Sequence, residues 1–267
     1  MAIFKFQVML YSLSIIFCFL FPQTHSLYFN LKNIGRQHGN LKITAFRDAT
    51  ISSSGLQLTT ADKSGDLLQK AGKATYNDRL HLWDKSTGKL TDFKTHFVFV
   101  IDSDGSDLFA DGLTFFLADP SGSDISAGGA MGLPINPTTI APTSRFVAVE
   151  FDTFQNDGWD PLNINPVTHV GIDVSSLTSN VTAVWHCNVT GGIQNEAWIR
   201  YESRSHKLSV VFTDSTKTTR VKNTIHLKVD LRDYLPEWVT FGFSAATGAL
   251  TEKHTVKSWK FSSSLYV

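Results

Sequence analysis

Val147–Pro161 reads VAVEFDTFQNDGWDP. It opens as a strand, Val147 and Val149 alternating with Ala148 and Glu150, and ends as a polar loop that carries Asp152, Phe154, Asn156 and Asp160. Glu150 and Asp152 are two positions apart, so on a strand both point to the same side. Carboxylates that close repel one another, and burying them uncompensated is costly. A proton, a sugar oxocarbenium ion or a metal cation would each relieve the repulsion.

The chain around this stretch reads as all-β. GKATYNDRLHLWD, FKTHFVFVID, GLTFFLAD, HVGIDV, VTAVWHC, EAWIRYES, HKLSVVFTD, WVTFGFSAAT and VKSWKFS are short alternating or aromatic-rich runs, and clusters of Gly, Pro, Asn, Asp and Ser divide them. No long stretch keeps a helical period. Many strands at short spacing predict a sandwich or jelly roll. With no linker and no repeat, residues 27–267 read as one domain.

The chain has 267 residues, 42% of them hydrophobic, enough for a sizeable core. Lys+Arg and Asp+Glu are both 24, so no net charge argues for nucleic acid or an anionic membrane as the partner. Lys5 precedes the apolar run FQVMLYSLSIIFCFLF and then PQTHS, which reads as a secretory signal cleaved after Ser26. Gln7, Ser12 and Ser14 interrupt the run, which argues against a membrane anchor. No later segment is long and apolar enough to span, so a secreted, extracellular protein is expected. Asn180-Val181-Thr182 and Asn188-Val189-Thr190 are N-glycosylation acceptors. Of the two cysteines, Cys18 lies in the leader, which leaves Cys187 as a lone buried thiol with no disulfide to form.

Three loops stand out. LFADGLTFFLADP, from Leu108 to Pro120, has Asp111 before Gly112 at the entry to an apolar strand. SAGGAMGLP, from Ser126 to Pro134, carries paired glycines that let backbone N–H groups approach a ligand. The third is the opening stretch with its continuation LNINPVTHVGIDV, where His169 starts a strand. Carboxylate, amide and carbonyl oxygens suit calcium, and adding an imidazole suits a transition ion such as manganese. With Asp152 and Asp160 bridging, two ions would sit side by side and cancel the carboxylate repulsion. An EF-hand fails, because position three counted from Asp152 is Phe154 and Gly158 comes at position seven. DSDGSD, Asp102 to Asp107, reads as a solvated turn. A jelly-roll glycosidase with carboxylates at alternate strand positions also fails: Phe154 stands at the third, and Glu150 and Asp152 are too close to flank a sugar bond.

GLQLT, GKATYNDRLHLWDKSTGKLTDF, ADGLTFFLADP, GGAMGLP, VAVEFDTFQNDGWDP, HVGIDV and FGFSAATG…SW resemble the legume-type lectins in order and spacing, over almost the whole mature chain. The resemblance implies a jelly roll of a flat back sheet, a curved front sheet and a small top sheet, and reversible glycan or glycoprotein binding without catalysis. It implies that Glu150, Asp152, Asp160 and His169 hold manganese, and that Asp152, the backbone oxygen of Phe154, Asn156 and Asp160 hold calcium. Asp111, the N–H of Gly129 and the Asn156 amide would meet sugar hydroxyls, Phe154 would stack on the ring, and Ala249 and Leu250 would help set specificity. A cis Ala110–Asp111 bond and a homodimer through the back sheets are also implied; unpaired edge strands supply a motive for the dimer, and a glycan on Asn180 or Asn188 would block it. Some relatives keep the fold, lose the sugar site and act as storage or defence proteins, but they typically lose loop residues or metal ligands. Here Asp111, Gly129, Asn156 and every metal position are kept. The departures are a longer loop, PLNINPVT, before His169, and an apolar Leu250 where a polar side chain is often found.

Overall fold

The computed structural model describes residues 24–36, 42–60, 65–215 and 220–266. Residues 1–23 of the expected leader lie outside the described residues. In chain order the strands are β1 (Thr24–His25), β2 (Tyr28–Leu31), β3 (Ile43–Arg47), β4 (Thr50–Ser52), β5 (Gly55–Gln57), β6 (Ala71–Tyr76), β7 (Leu80–His81) and β8 (Asp92–Asp102). There follow β9 (Gly112–Ala118), β10 (Phe146–Asp152), β11 (His169–Val174), β12 (Val181–Val184), β13 (Gln194–Glu202), β14 (Lys207–Ser215), β15 (Arg220–Lys228), β16 (Trp238–Ala246) and β17 (Lys253–Tyr266).

The strands form two antiparallel sheets. One runs β15-β14-β13-β8-β17-β5-β4, with β1 and β2 also paired to β17; the other runs β12-β11-β10-β9-β16-β6-β3, with β7 paired to β16. These two sheets account for every named strand among the described residues, so the small top sheet does not stand apart in the pairing. Among the same residues no helix is long and apolar enough to cross a membrane.

The two sheets meet through their alternating apolar faces. On β8, Phe93, Phe97, Phe99 and Ile101 are buried while Lys94, His96, Val98 and Val100 keep contact with solvent, the pattern of a sheet with one wet face. Phe97 packs edge-on against Phe243 of the other sheet, centroids 4.9 Å apart, and Phe99 meets Phe151 at 4.7 Å. Trp259 and Trp185 close the same core, their indole N–H groups donating to Thr95 Oγ1 and the Thr213 carbonyl, both at 2.9 Å. Fully burying side chains of this size contributes roughly 1.5–3 kcal/mol each.

The eight-stranded sheet differs, because β9 and β10 are buried on both faces. Leu113, Phe115 and Leu117 of β9, with Val147, Val149 and Phe151 of β10, face the main core. The intervening Phe116, Ala118, Phe146 and Ala148 form a second cluster with Ala130, Leu133 and Ile135. The glycine-rich loop therefore lies over the outer face of this sheet. Glu150 and Asp152 share that outer face, two and four positions beyond Ala148.

Candidate functional site

β10 runs between β9 and β11. Asp152 stands opposite Gly112 on one side and His169 on the other, and Glu150 stands opposite Thr114 and Gly171. Glycine at 171 leaves room for the two side chains beside it, since a Cβ there would lie 2.3 Å from Glu150 Oε1 and 2.0 Å from Ser179 Oγ. Suitable atoms of Glu150, Asp152 and His169 all come within 4.8 Å of one another, an arrangement able to hold a metal ion. His169 Nδ1 lies 3.1 Å from the Val167 carbonyl, so Nδ1–H donates to it and the ring turns Nε2 toward the carboxylates. Nε2 is 3.2 Å from Glu150 Oε1 and 4.0 Å from Asp160 Oδ1. The longer PLNINPVT loop has thus left the histidine in register. That loop carries a cis Asn165–Pro166 bond, and the Ala110–Asp111 bond is cis as the resemblance implies.

The turn after β10 is held by its own acids. Asp152 Oδ1 accepts from the Phe154 N–H at 2.7 Å, and Asp160 Oδ2 accepts from the Asn156 N–H at 2.6 Å. The Asn156 carbonyl accepts from the N–H groups of Trp159 and Asp160. Phe154 itself stays exposed. Asn156 Oδ1 touches the glycine-rich loop: a Cβ on Gly129 would lie 2.4 Å from it. Gly248 abuts Asp111 in the same way, a Cβ there lying 3.1 Å from Asp111 Oδ2 and 3.5 Å from the Cα of Gly128. Ala249, exposed, and Leu250, half-buried, follow directly beside Asp111. The expected sugar-contacting and metal-ligating residues are therefore gathered at one end of the eight-stranded sheet.

The electrostatics are out of balance. Glu150 Oε2, Asp152 Oδ2, Asn156 Oδ1, His169 Nε2 and Asp111 Oδ2 are buried without hydrogen-bond partners. Most buried polar atoms have one, so five orphans converging on one turn call for a missing partner. Burial, then the charge of Glu150 and of Asp160, pushes Asp152 well above the usual carboxylate range. Burial is the main cause that pushes Asp160 to about 7, and it does the same to Asp111, where Glu252 and Asp160 add to it. Burial alone would lower His169, but proximity to Glu150 outweighs it. Among the described residues no lysine or arginine pairs with these acids. Glu150 and Asp152 are each 1% exposed, so neither can reach a glycosidic bond.

Some members of the site escape a reading of the sequence. Asp173 is fully buried and within hydrogen-bond distance of Ser179 Oγ, which also lies 2.7 Å from Glu150 Oε1. Burial first, then Glu150, raises the Asp173 carboxyl well above its usual range. The signal was available: His169, Gly171 and Asp173 alternate on one strand and share a face. Thr153, Glu252 and His254 form a second group behind the turn and have no such signal. The acceptors Asn180 and Asn188 are both exposed.

The Legume lectin domain family matches residues 26–266. The chain belongs to the legume lectin family. It is 46% identical to Lectin 6 of Medicago truncatula over 226 residues, covering 82% of this chain and 80% of that one. Among solved structures it resembles the basic winged bean lectin determined with Tn-antigen, with a TM-score of 0.78 and 36% identity over 90% of this chain and 99% of that one. Arcelin-5, a lectin-like defense protein from Phaseolus vulgaris, is similar at a TM-score of 0.74 and 28% identity over 89% and 98%. The family is one of carbohydrate-binding proteins, not enzymes, and this legume lectin has a buried acid–histidine group able to hold a metal ion.

Proposed function

We propose that this legume lectin binds glycans reversibly on the surface formed by Asp111, Gly129, Asn156 and Phe154, with Ala249 and Leu250 at its rim. The observation that carries the reading is the meeting of Asp111, Gly129 and Asn156 above a turn whose buried oxygens lack partners. An ionised Asp111 accepts from two sugar hydroxyls, while the Asn156 amide and the Gly129 N–H donate to them. Hydrogen bonds to a charged acceptor contribute roughly 1.5–3 kcal/mol each. The exposed Phe154 ring covers the apolar C–H face of a sugar.

The donor set fits a pair of cations. Glu150, Asp152, Asp160 and His169 would hold manganese; Asp152, the Phe154 carbonyl, Asn156 Oδ1 and Asp160 would hold calcium. Bound there, the ions supply the positive charge that the self-repelling acids lack. Asn156 would serve metal and sugar together, so its side chain is fixed before the glycan arrives, which lowers the ordering cost of binding. We further propose that the protein is secreted after removal of residues 1–26 and glycosylated at Asn180 and Asn188, both exposed.

A glycan array run with calcium and manganese, and again after thorough chelation, tests this reading. Glycan binding that is lost with the metals is the expected result. Undiminished binding after chelation would refute the metal-organised site. Binding to no glycan in either state would instead favour a sugar-inactive defence role of the arcelin kind.

A further inference from the structure

Three ligand-bearing segments meet at one buried side chain, Thr153. Its N–H donates to the Asp111 carbonyl at 3.0 Å, tying the metal turn to the Asp111 loop. Its hydroxyl donates to Glu252 Oε1 at 2.7 Å, tying the same turn to the chain that enters β17. Glu252 lies two residues after Leu250, so the anchor also sets where the rim loop ends. Behind Glu252 the chain of contacts continues inward. His254 Nε2 lies 2.8 Å from Glu252 Oε1, and Thr59 Oγ1 lies 2.9 Å from His254 Nδ1. All four side chains are buried, and Glu252 Oε2 has no partner.

The cost of this arrangement is its informative feature. A carboxylate kept out of water with one oxygen unpaired is expensive, and an apolar residue would fill the space without that penalty. The core does not need Glu252: Val256, Trp259 and Phe261 further along β17 already supply the apolar contacts. Thr153 stands between two proposed ligand-bearing residues, Asp152 and Phe154. Its β-branched side chain has few rotamers, so a hydrogen bond to its hydroxyl constrains the backbone on either side.

We propose that Glu252 and His254 are positioning residues of the glycan site, acting through the Thr153 hydroxyl to hold the metal turn, the Asp111 loop and the Ala249–Leu250 rim in one geometry. This inference rests on the sugar-binding reading above. Groups that orient metal ligands from behind typically change metal affinity about 10- to 100-fold when removed. Thr153→Val keeps the shape and deletes the hydroxyl, and Thr153→Ser restores it.

The test measures calcium and manganese affinity by isothermal titration, and glycan affinity at saturating metal, on the full secreted chain. Thr153→Val is expected to weaken metal binding roughly 10- to 100-fold, with glycan affinity falling as well, and Thr153→Ser to recover most of both. Glu252→Leu, which removes both acceptor oxygens at similar volume, is expected to cause a similar loss alone and little further loss in the Thr153→Val background, because the two act in series. Near-UV circular dichroism selects folded variants; should Thr153→Val not fold, Thr153→Ala replaces it. Metal and glycan affinities within twofold of the parent in Thr153→Val would overturn the proposal, as would effects of Thr153→Val and Glu252→Leu that simply add. A merely structural role would lower the melting temperature while leaving both affinities of the folded protein unchanged. A parent that binds metal but no glycan would defeat the lectin reading alone, and the metal titrations would still decide the positioning role.

Discussion

Gly129→Ala is a sharp probe of the site, because the backbone of Gly129 lies outside the left-handed region and alanine is conformationally allowed there. The only obstacle is space. The new Cβ would lie 2.4 Å from Asn156 Oδ1 and 2.9 Å from both Asn156 Cγ and Trp159 Cζ2. To reach ordinary contact at 3.4 Å, loop and side chain must separate by about 1 Å. The Asn156 backbone is held, its N–H by Asp160 Oδ2 and its carbonyl by the N–H groups of Trp159 and Asp160, so the side chain must turn away from the loop and leave the position proposed for it. A shift of that size takes an ordinary hydrogen bond out of range, at a net loss of about 0.5–1.5 kcal/mol. Glycan affinity should therefore fall roughly 2- to 13-fold, and the overpacked loop should lose about 1–3 kcal/mol of stability. Gly158→Ala is the matched control in the same turn, since a Cβ there meets nothing within 4 Å. Isothermal titration of both variants against the best array glycan, with denaturant curves alongside, makes the comparison. Parent-like affinity in Gly129→Ala, or an equal loss in Gly158→Ala, would refute the reasoning.

Metal removal should make stability fall as pH rises. Asp111 and Asp160 are each pushed up to about 7, mainly by burial, so the metal-free folded chain holds more protons than the unfolded chain between about pH 4 and 7. Its stability should then fall as pH rises through that window, whereas bound cations displace those protons and remove the trend; urea midpoints at pH 5 and 7.5, with and without chelator, report it, and a metal-free protein that is more stable at pH 7.5 contradicts it. Trp259→Ala should cost about 3–5 kcal/mol in denaturant unfolding, because it empties the core between the sheets and removes the hydrogen bond that Thr95 Oγ1 accepts, without touching the site. Cys187, its thiol pushed up to about 12 by burial, should resist iodoacetamide at pH 8 until the chain is unfolded; rapid labelling of the native protein would show that it is accessible.

The wet-faced strands were legible because their composition alternates. FKTHFVFVID splits cleanly into a buried set and a solvent-touching set, and β8 follows it. β9 and β10 are less obvious, because they are buried on both faces and the residue that decides which face is which is not apolar: Glu150 marks the outer side only once the glycine-rich loop is known to cover it. The proposed metal set was legible for a related reason. Acids at alternate strand positions followed by Asn156 and Asp160 are too repulsive to be left without a counter-charge, so residue type alone announces a ligand.

Glu252, His254 and Thr153 announce nothing, and the reason is physical. Each is an ordinary residue in an ordinary strand or turn, and Thr153 is 99 positions from the Glu252 that accepts its hydrogen bond. Their meaning lies in a tertiary contact between the residue just before β17 and the turn after β10, and β17 and β10 belong to different sheets. Local patterning can report a charge conflict, because repulsion acts between neighbours, but it cannot report the group that resolves a geometry from across the sandwich. The proposed ligands are therefore written in β10, its turn and the start of β11, whereas the proposed tie through Glu252 is a buried contact that only the folded sandwich brings about. For this reason the Thr153→Val and Gly129→Ala experiments ask different questions: the latter disturbs the ligands directly, and the former leaves every ligand in place and removes only the hydroxyl that ties their turn to β17.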